Sequence, residues 1–232
     1  MMKKLITGLV LAGGLSATAQ ARELTVEVTN LTNGIYYTPL LVSTHNGNTD
    51  LFEPGEPASA SLQAMAEGGD ISGLISDLKT ADADISADPA EGLLGPGETA
   101  TAYLKTHKRN RYLSIVAMLL PTNDGFMGLD AQRIPKRRGT YTYYINGYDA
   151  GTEANSEIIN GGGAPGVPGI PADPGGNSGT GATGVTDSEQ NSLVHIHRGV
   201  LGDMDANGGI SDLNAAVHHW LNPVAKVTVT VR

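Results

Sequence analysis

Two carboxylates four residues apart flank a glycine in Tyr148-Asp149-Ala150-Gly151-Thr152-Glu153. Glycine lets the backbone turn sharply, and such a turn can fold both side chains around one point. A hard cation such as Ca²⁺ takes about six to eight oxygens from carboxylates, carbonyls and water. Asp149, Glu153, the Thr152 hydroxyl and free loop carbonyls are donors of that kind. A solvated acidic turn has the same composition, so spacing alone leaves both readings open. A second acidic loop, Pro121-Thr122-Asn123-Asp124-Gly125, ends the most apolar segment of the chain, which puts Asp124 at a sheet end. If segments 112–120 and 140–147 are neighbouring strands, Asp124 and Asp149 reach one cation.

Other constellations are weaker. Asp203-Met204-Asp205-Ala206-Asn207-Gly208-Gly209 opens like a calcium loop, with Asp203, Asp205 and Asn207 as candidate ligands of a second cation. Its twelfth position is Asn214 where a bidentate Glu is expected, and an Asx turn explains the same residues. His195 and His197, two apart on a candidate strand, share a face and could hold Zn²⁺, or serve a structural or surface role. Nucleophilic catalysis finds no support: there is no cysteine, no G-x-S-x-G elbow, and no Asp beside Ser43 and His45. The basic runs Lys105 to Arg111 and Lys136-Arg137-Arg138 fall in expected turns. They read as solvated hairpin tips or as a patch for acidic glycans or lipopolysaccharide.

The elements that position these residues are mostly strands. Glu23 to Val28 alternates with period two, as a half-buried strand does. Tyr36–Ser43, Ala100–Thr106, Tyr112–Leu120, Thr140–Ile145, Leu193–His197 and Val224–Val231 are further strands. Ile115 to Leu120 is continuously apolar, which predicts a strand covered on both faces. Helices are expected over 59–67, ending at Gly68-Gly69, after Asp70 with Leu74 and Leu78 inward, and from Ser211 to Pro223 with Leu213, Val217, Trp220 and Leu221 on one face. Residues 82–98 read as a loop. The Gly/Pro-rich tract at about 160–192 reads as a flexible loop, since it has little apolar surface to bury. The pattern is all-β: an antiparallel β-sandwich with a few short helices in its connections.

Lys3 and Lys4, the apolar stretch Leu5–Leu15 and Ala19-Gln20-Ala21 have the order of a secretory signal peptide over residues 1–21. The stretch is too short to span a bilayer, and no later segment is apolar enough. Export, to the periplasm or outside the cell, leaves one domain over 22–232. Without Lys3 and Lys4 the formal charge moves from −9 to −11. That disfavours nucleic acid and anionic lipid as partners by bulk electrostatics and favours a cation. With no cysteine, the exported fold stands without disulfides.

The order of motifs resembles the spondin domain family known from F-spondin and mindin. Tyr37-Thr38-Pro39-Leu40-Leu41-Val42-Ser43-Thr44-His45 is similar to its SPLVGASH segment, and Ala66-Glu67-Gly68-Gly69 to its AE.G segment. Pro121 to Asp130 resembles PSPDWFVGVD, Asp149 to Glu153 resembles DAGTD, and Pro223 to Val229 resembles the closing PIARVTL strand. The resemblance implies a C2-like sandwich holding one Ca²⁺ at a loop end through Asp124, Asp149 and Glu153. Gly125 replaces the family's Trp, and Glu153 is one methylene longer than its Asp. The resemblance implies an exported recognition or adhesion module, with a cell-surface or matrix component, a glycan among the candidates, as partner. The competing expectation is a metal-assisted hydrolase using the same carboxylates, which needs an open coordination position beside a cleft.

Overall fold

The computed structural model describes residues 22–107, 109–176 and 178–232. The expected export signal, residues 1–21, lies outside them, as do Lys108 and Asn177. The strands in chain order are β1 (Arg22–Asn30), β2 (Tyr36–Tyr37), β3 (Leu41–His45), β4 (Asp84–Ala87), β5 (Thr99–Thr106), β6 (Tyr112–Leu120), β7 (Gly125–Arg133), β8 (Gly139–Asp149), β9 (His195–Ile196) and β10 (Ala225–Val231). The helices are α1 (Ala60–Gly68), α2 (Ser72–Thr80) and α3 (Ala215–His218). All strand pairings are antiparallel, in the order β4-β3-β6-β7-β8-β10-β1-β5, with β2 on β6 and β9 on β8.

One strand joins the two layers of the sandwich. The first part of β8, Gly139 to Ile145, pairs with β10, and its last four residues pair with β7. The layer β8-β10-β1-β5 points Leu24, Val26, Val28, Val227, Val229 and Val231 into the core. The other layer meets them with Leu113, Ile115, Ala117 and Leu119 of β6. The alternate β6 residues Val116, Met118 and Leu120 face a third layer, where Leu62, Met65, Leu74 and Leu78 of α1 and α2 cover them. That double burial is the reason for β6's unbroken apolar run.

Local chemistry sets the ends of the elements. Ser59 accepts the Leu62 N–H at 3.1 Å and caps α1, and Gly69, at φ 74°, closes it. The expected strand 36–43 is broken into β2 and β3, because Pro39 cannot donate to a ladder. Thr38 bridges the gap: its hydroxyl accepts the Met118 N–H at 3.2 Å.

Three expectations are corrected. β7 was not foreseen, because Gly125 and Gly128 interrupt its pattern; Gly128 is there because a Cβ would meet the Phe52 ring at 2.6 Å. β4 lies inside the segment read as a loop. The terminal helix shrinks to the single turn α3, capped by Asn214, with Val217 and Leu221 exposed. Ser211 instead donates its hydroxyl to Glu157 at 2.6 Å.

Residues 160–192 hold no named strand or helix, and buried carboxylates pin their flanks. Asp212 accepts the N–H groups of Ile159, Thr180 and Ala182. Glu157 accepts those of Leu201 and Gly202. The order of this layer is built from hydrogen bonds to charge, each stronger than a neutral one.

Candidate metal centre

The geometry begins with strand register. Gly125 stands opposite Asp149 in the β7–β8 ladder, and the Ala150 N–H donates to the Asp124 carbonyl at 3.2 Å. The expected pairing of segment 112–120 with 140–147 is not what unites them. β7 lies between β6 and β8, and its first residue carries Asp124 to Asp149. Gly151, at φ 69°, then turns the chain; a Cβ there would meet backbone atoms of residues 191–193 at 2.7–2.8 Å. Only glycine satisfies both demands.

The turn wraps around Asp124. Its Oδ2 accepts the Thr152 N–H at 2.8 Å, the Thr152 hydroxyl at 3.1 Å and the Glu153 N–H at 3.1 Å. Its Oδ1 is buried with no hydrogen-bond partner. Burial first, and then the Asp149 charge, push the Asp124 carboxyl up to about 8. Asp149 Oδ1 accepts the Gly151 N–H at 2.9 Å and Oδ2 the Asn155 amide at 2.7 Å. Glu153 Oε2 accepts the Gly169 N–H at 3.0 Å and the Asn123 amide at 3.2 Å, while Oε1 is buried without a partner. Burial raises the Glu153 pKa, and the charge of Glu67 adds to it.

Asp124 and Asp149 are thus brought together as charges, while Glu153 stands beside them with its carboxylate toward Glu67. Among the described residues, no three His, Asp or Glu side chains form a ready ligand cage. Two orphaned carboxylate oxygens beside the Asp149 carboxylate nonetheless call for a proton or a cation, and hard oxygens are what Ca²⁺ takes. The residues fit the ion in chemistry. A groove of about 710 Å³ runs alongside, lined in part by Thr152, Glu153, Gly184, Asp187 and Glu189.

The histidines divide. His195 Nε2 is 3.8 Å from Asp149 Oδ2, and its Nδ1 faces the Leu193 carbonyl. His197 continues the same ladder, its N–H donating to the Gly147 carbonyl at 3.1 Å, but its ring is buried against Trp220 with centroids 5.0 Å apart. His197 Nδ1 accepts the Gly199 N–H at 2.9 Å, so the proton of the neutral ring is on Nε2, which has no lone pair for zinc. Burial pushes its pKa down to about 4. In the second candidate loop, Asp203 accepts the N–H groups of Asp205, Ile210 and Ser211, and Asp205 accepts that of Asn207. These are the contacts of an Asx-rich turn.

Sequence reasoning missed Asn123, Asn155 and Glu67. The two amides hold the carboxylates across separations that spacing does not reveal, apart from the nearby Asn155–Asp149 pair. Glu67 had a signal, since it lies in the AE.G segment.

No curated protein matches the chain. The Spondin_N family model, the spondin N-terminal domain, matches residues 28–158, from near the end of β1 past β8 and the turn that follows it. That match includes Asp124, Asp149 and Glu153 and covers more than half of the sequence, so the chain belongs to the spondin N-terminal domain family.

Proposed function

We propose that the protein is an exported recognition or adhesion module in which one Ca²⁺, held by Asp124, Asp149 and Glu153, orders the loops at one end of the sandwich. The family is one of extracellular interaction modules, generally without enzymatic activity. No helix among the described residues is long and apolar enough to cross a membrane. The observation that carries the calcium reading is the buried, partnerless Asp124 Oδ1 beside Asp149. When bound, the ion supplies the positive charge that both aspartates lack. The chain's own part is to aim the carboxylates, through the amides of Asn123 and Asn155 and the N–H groups of residues 151–153. The partner is a cell-surface or matrix component.

Hydrolysis is the weaker reading. Its metal needs a coordination position open to substrate, and both orphaned oxygens are buried away from the groove's solvent. The test is thermal unfolding of residues 22–232 in excess Ca²⁺ and in chelator, with calorimetric titration of the ion. A midpoint rise with Ca²⁺ that Asp149→Ala abolishes supports the site; equal midpoints and no binding heat refute it.

A further inference from the structure

The cations of this acidic chain are gathered at one end. Of its 15 Lys and Arg, two precede residue 22, and Lys108 lies in the β5–β6 connection outside the described residues. Of the rest, only Lys79, Arg198 and Lys226 stand elsewhere. Lys105, Arg109 and Arg111 flank the β5–β6 turn, and Arg133, Lys136, Arg137 and Arg138 flank the β7–β8 turn. Strand register puts both turns at one pole, because Tyr112 stands opposite Arg133. Arg22 ties them together: it stands opposite Thr106, and its guanidinium donates to the Pro135 carbonyl at 2.9 Å. Arg232 joins from β10, since Val231 stands opposite Gly139.

This charge is available. Lys105, Arg109, Arg133, Lys136, Arg137 and Arg138 are exposed, and none forms an ion pair with a described residue. The carboxylates at this end are fewer. Glu23 is exposed beside Lys105, and Glu27 is exposed further along the same face, opposite Thr101. Asp50, Asp82, Asp84 and Asp130 lie on the β3–β4 flank or on the face of β7 turned to Ser114. Asp84 is occupied by His107, Asn110 and Thr44. The excess negative charge of the chain is therefore carried by the rest of the molecule, and the pole has the opposite sign to its net charge. Scattered surface charge does not segregate in this way, and a segregated field steers a partner of opposite sign.

The neighbouring surface indicates the kind of polyanion. The layer β8-β10-β1-β5 exposes Tyr103, two residues before Lys105 on the same face, amid threonines 25, 101, 140 and 230. A hydroxyl-rich sheet with an exposed aromatic ring suits sugar rings, which stack and hydrogen-bond. A bilayer needs apolar side chains to insert, and the exposed Leu, Ile, Val and Met side chains lie away from this pole.

We infer that this basic pole is a binding surface for an acidic polysaccharide, a chain bearing sulfate, phosphate or uronate groups. It rests on the reading of the protein as an exported recognition module and is independent of the calcium site. Residues 22–232 are titrated with fluorescent dextran sulfate, neutral dextran, phosphatidylglycerol vesicles and an oligothymidylate, each over a range of salt, with Ca²⁺ and with chelator. Expected is binding to dextran sulfate alone or foremost, weakening with salt and unchanged by chelator. The triple variant Lys136→Ser/Arg137→Ser/Arg138→Ser loses at least tenfold in affinity, and its log–log salt slope falls by about three, roughly one per lost contact. The control Lys79→Ser/Arg198→Ser/Lys226→Ser removes the same charge elsewhere and keeps its affinity. Equal loss in both variants, absence of binding at low salt, or tighter binding to vesicles or oligothymidylate overturns the inference. Loss of binding only in chelator assigns the partner to the carboxylate end, which also overturns it, while calcium binding without dextran sulfate binding leaves the metal site standing.

Discussion

Asp124 accepts the backbone N–H of Glu153 at 3.1 Å, across 29 residues of sequence. One oxygen of the aspartate thus builds the turn, while the other, buried and unpartnered, is left for a ligand. The two roles separate by mutation. Asp124→Asn keeps the acceptor and removes the charge. In chelator at pH 8 it should be more stable than the parent, each unit by which the Asp124 pKa is raised being worth about 1.4 kcal/mol, and it should not respond to Ca²⁺. Asp124→Ala removes the acceptor too and should be less stable by about 1–3 kcal/mol for each buried donor left unpaired. Urea unfolding of the three proteins with and without the ion checks both signs.

The pH dependence in chelator follows from two groups with opposite signs. Asp124 is raised from 3.8 to about 8, so its protonated form favours the fold; that stability is complete below the unfolded value and is lost as pH rises to 8. His197 is lowered from 6.5 to about 4, so its contribution is complete above 6.5 and is lost as pH falls toward 4. Between about 4 and 6.5 the slopes of these two groups oppose; above 6.5 the His197 gain is complete and the Asp124 loss continues. The thermal midpoint in chelator should fall from pH 6.5 to 8, and excess Ca²⁺ should flatten that limb. A midpoint that rises over the same range would count against the buried carboxyl.

Gly151→Ala should be among the costliest single changes. It combines a left-handed backbone with contacts of 2.7–2.8 Å to the chain at 191–193. The strain and the displaced segment leading into β9 together imply a loss of about 2 kcal/mol or more, measurable by denaturant titration, along with a weakened response to Ca²⁺.

Glu157 fastens the C-terminal layer through the N–H groups of Leu201 and Gly202 and the Ser211 hydroxyl. Glu157→Ala leaves three donors without their acceptor, the Ser211 hydroxyl among them buried, at a cost of about 1–3 kcal/mol. Limited proteolysis should then cut first within residues 160–192, with the β6–β7 core protected longest.

Much of the fold was legible where the signal is local. The unbroken run of β6, the Ser59 cap of α1 and the alternation of β1 depend on neighbours in sequence, and each element formed where expected. β7 escaped because its glycines answer to distant atoms, Phe52 for Gly128 and Thr122 and His197 for Gly125. The terminal helix failed because Ser211 bonds to Glu157, 54 residues away, instead of capping. At the site, the acidic turn after β8 could be read from Asp149, Gly151 and Glu153. The division of its charges could not, since the neighbour that raises Glu153 is Glu67, brought there by α1.

Strand β8 leaves the basic pole at Gly139 and ends at Asp149, eleven residues and about 35 Å later. Because it is hydrogen-bonded into both layers, it acts as a mast with opposite charge at its two ends. A molecule of this kind has a preferred attitude in an electric field. On an anionic coat it would stand upright, its basic foot seated and its carboxylate loops held clear of the surface, facing whatever arrives from solution.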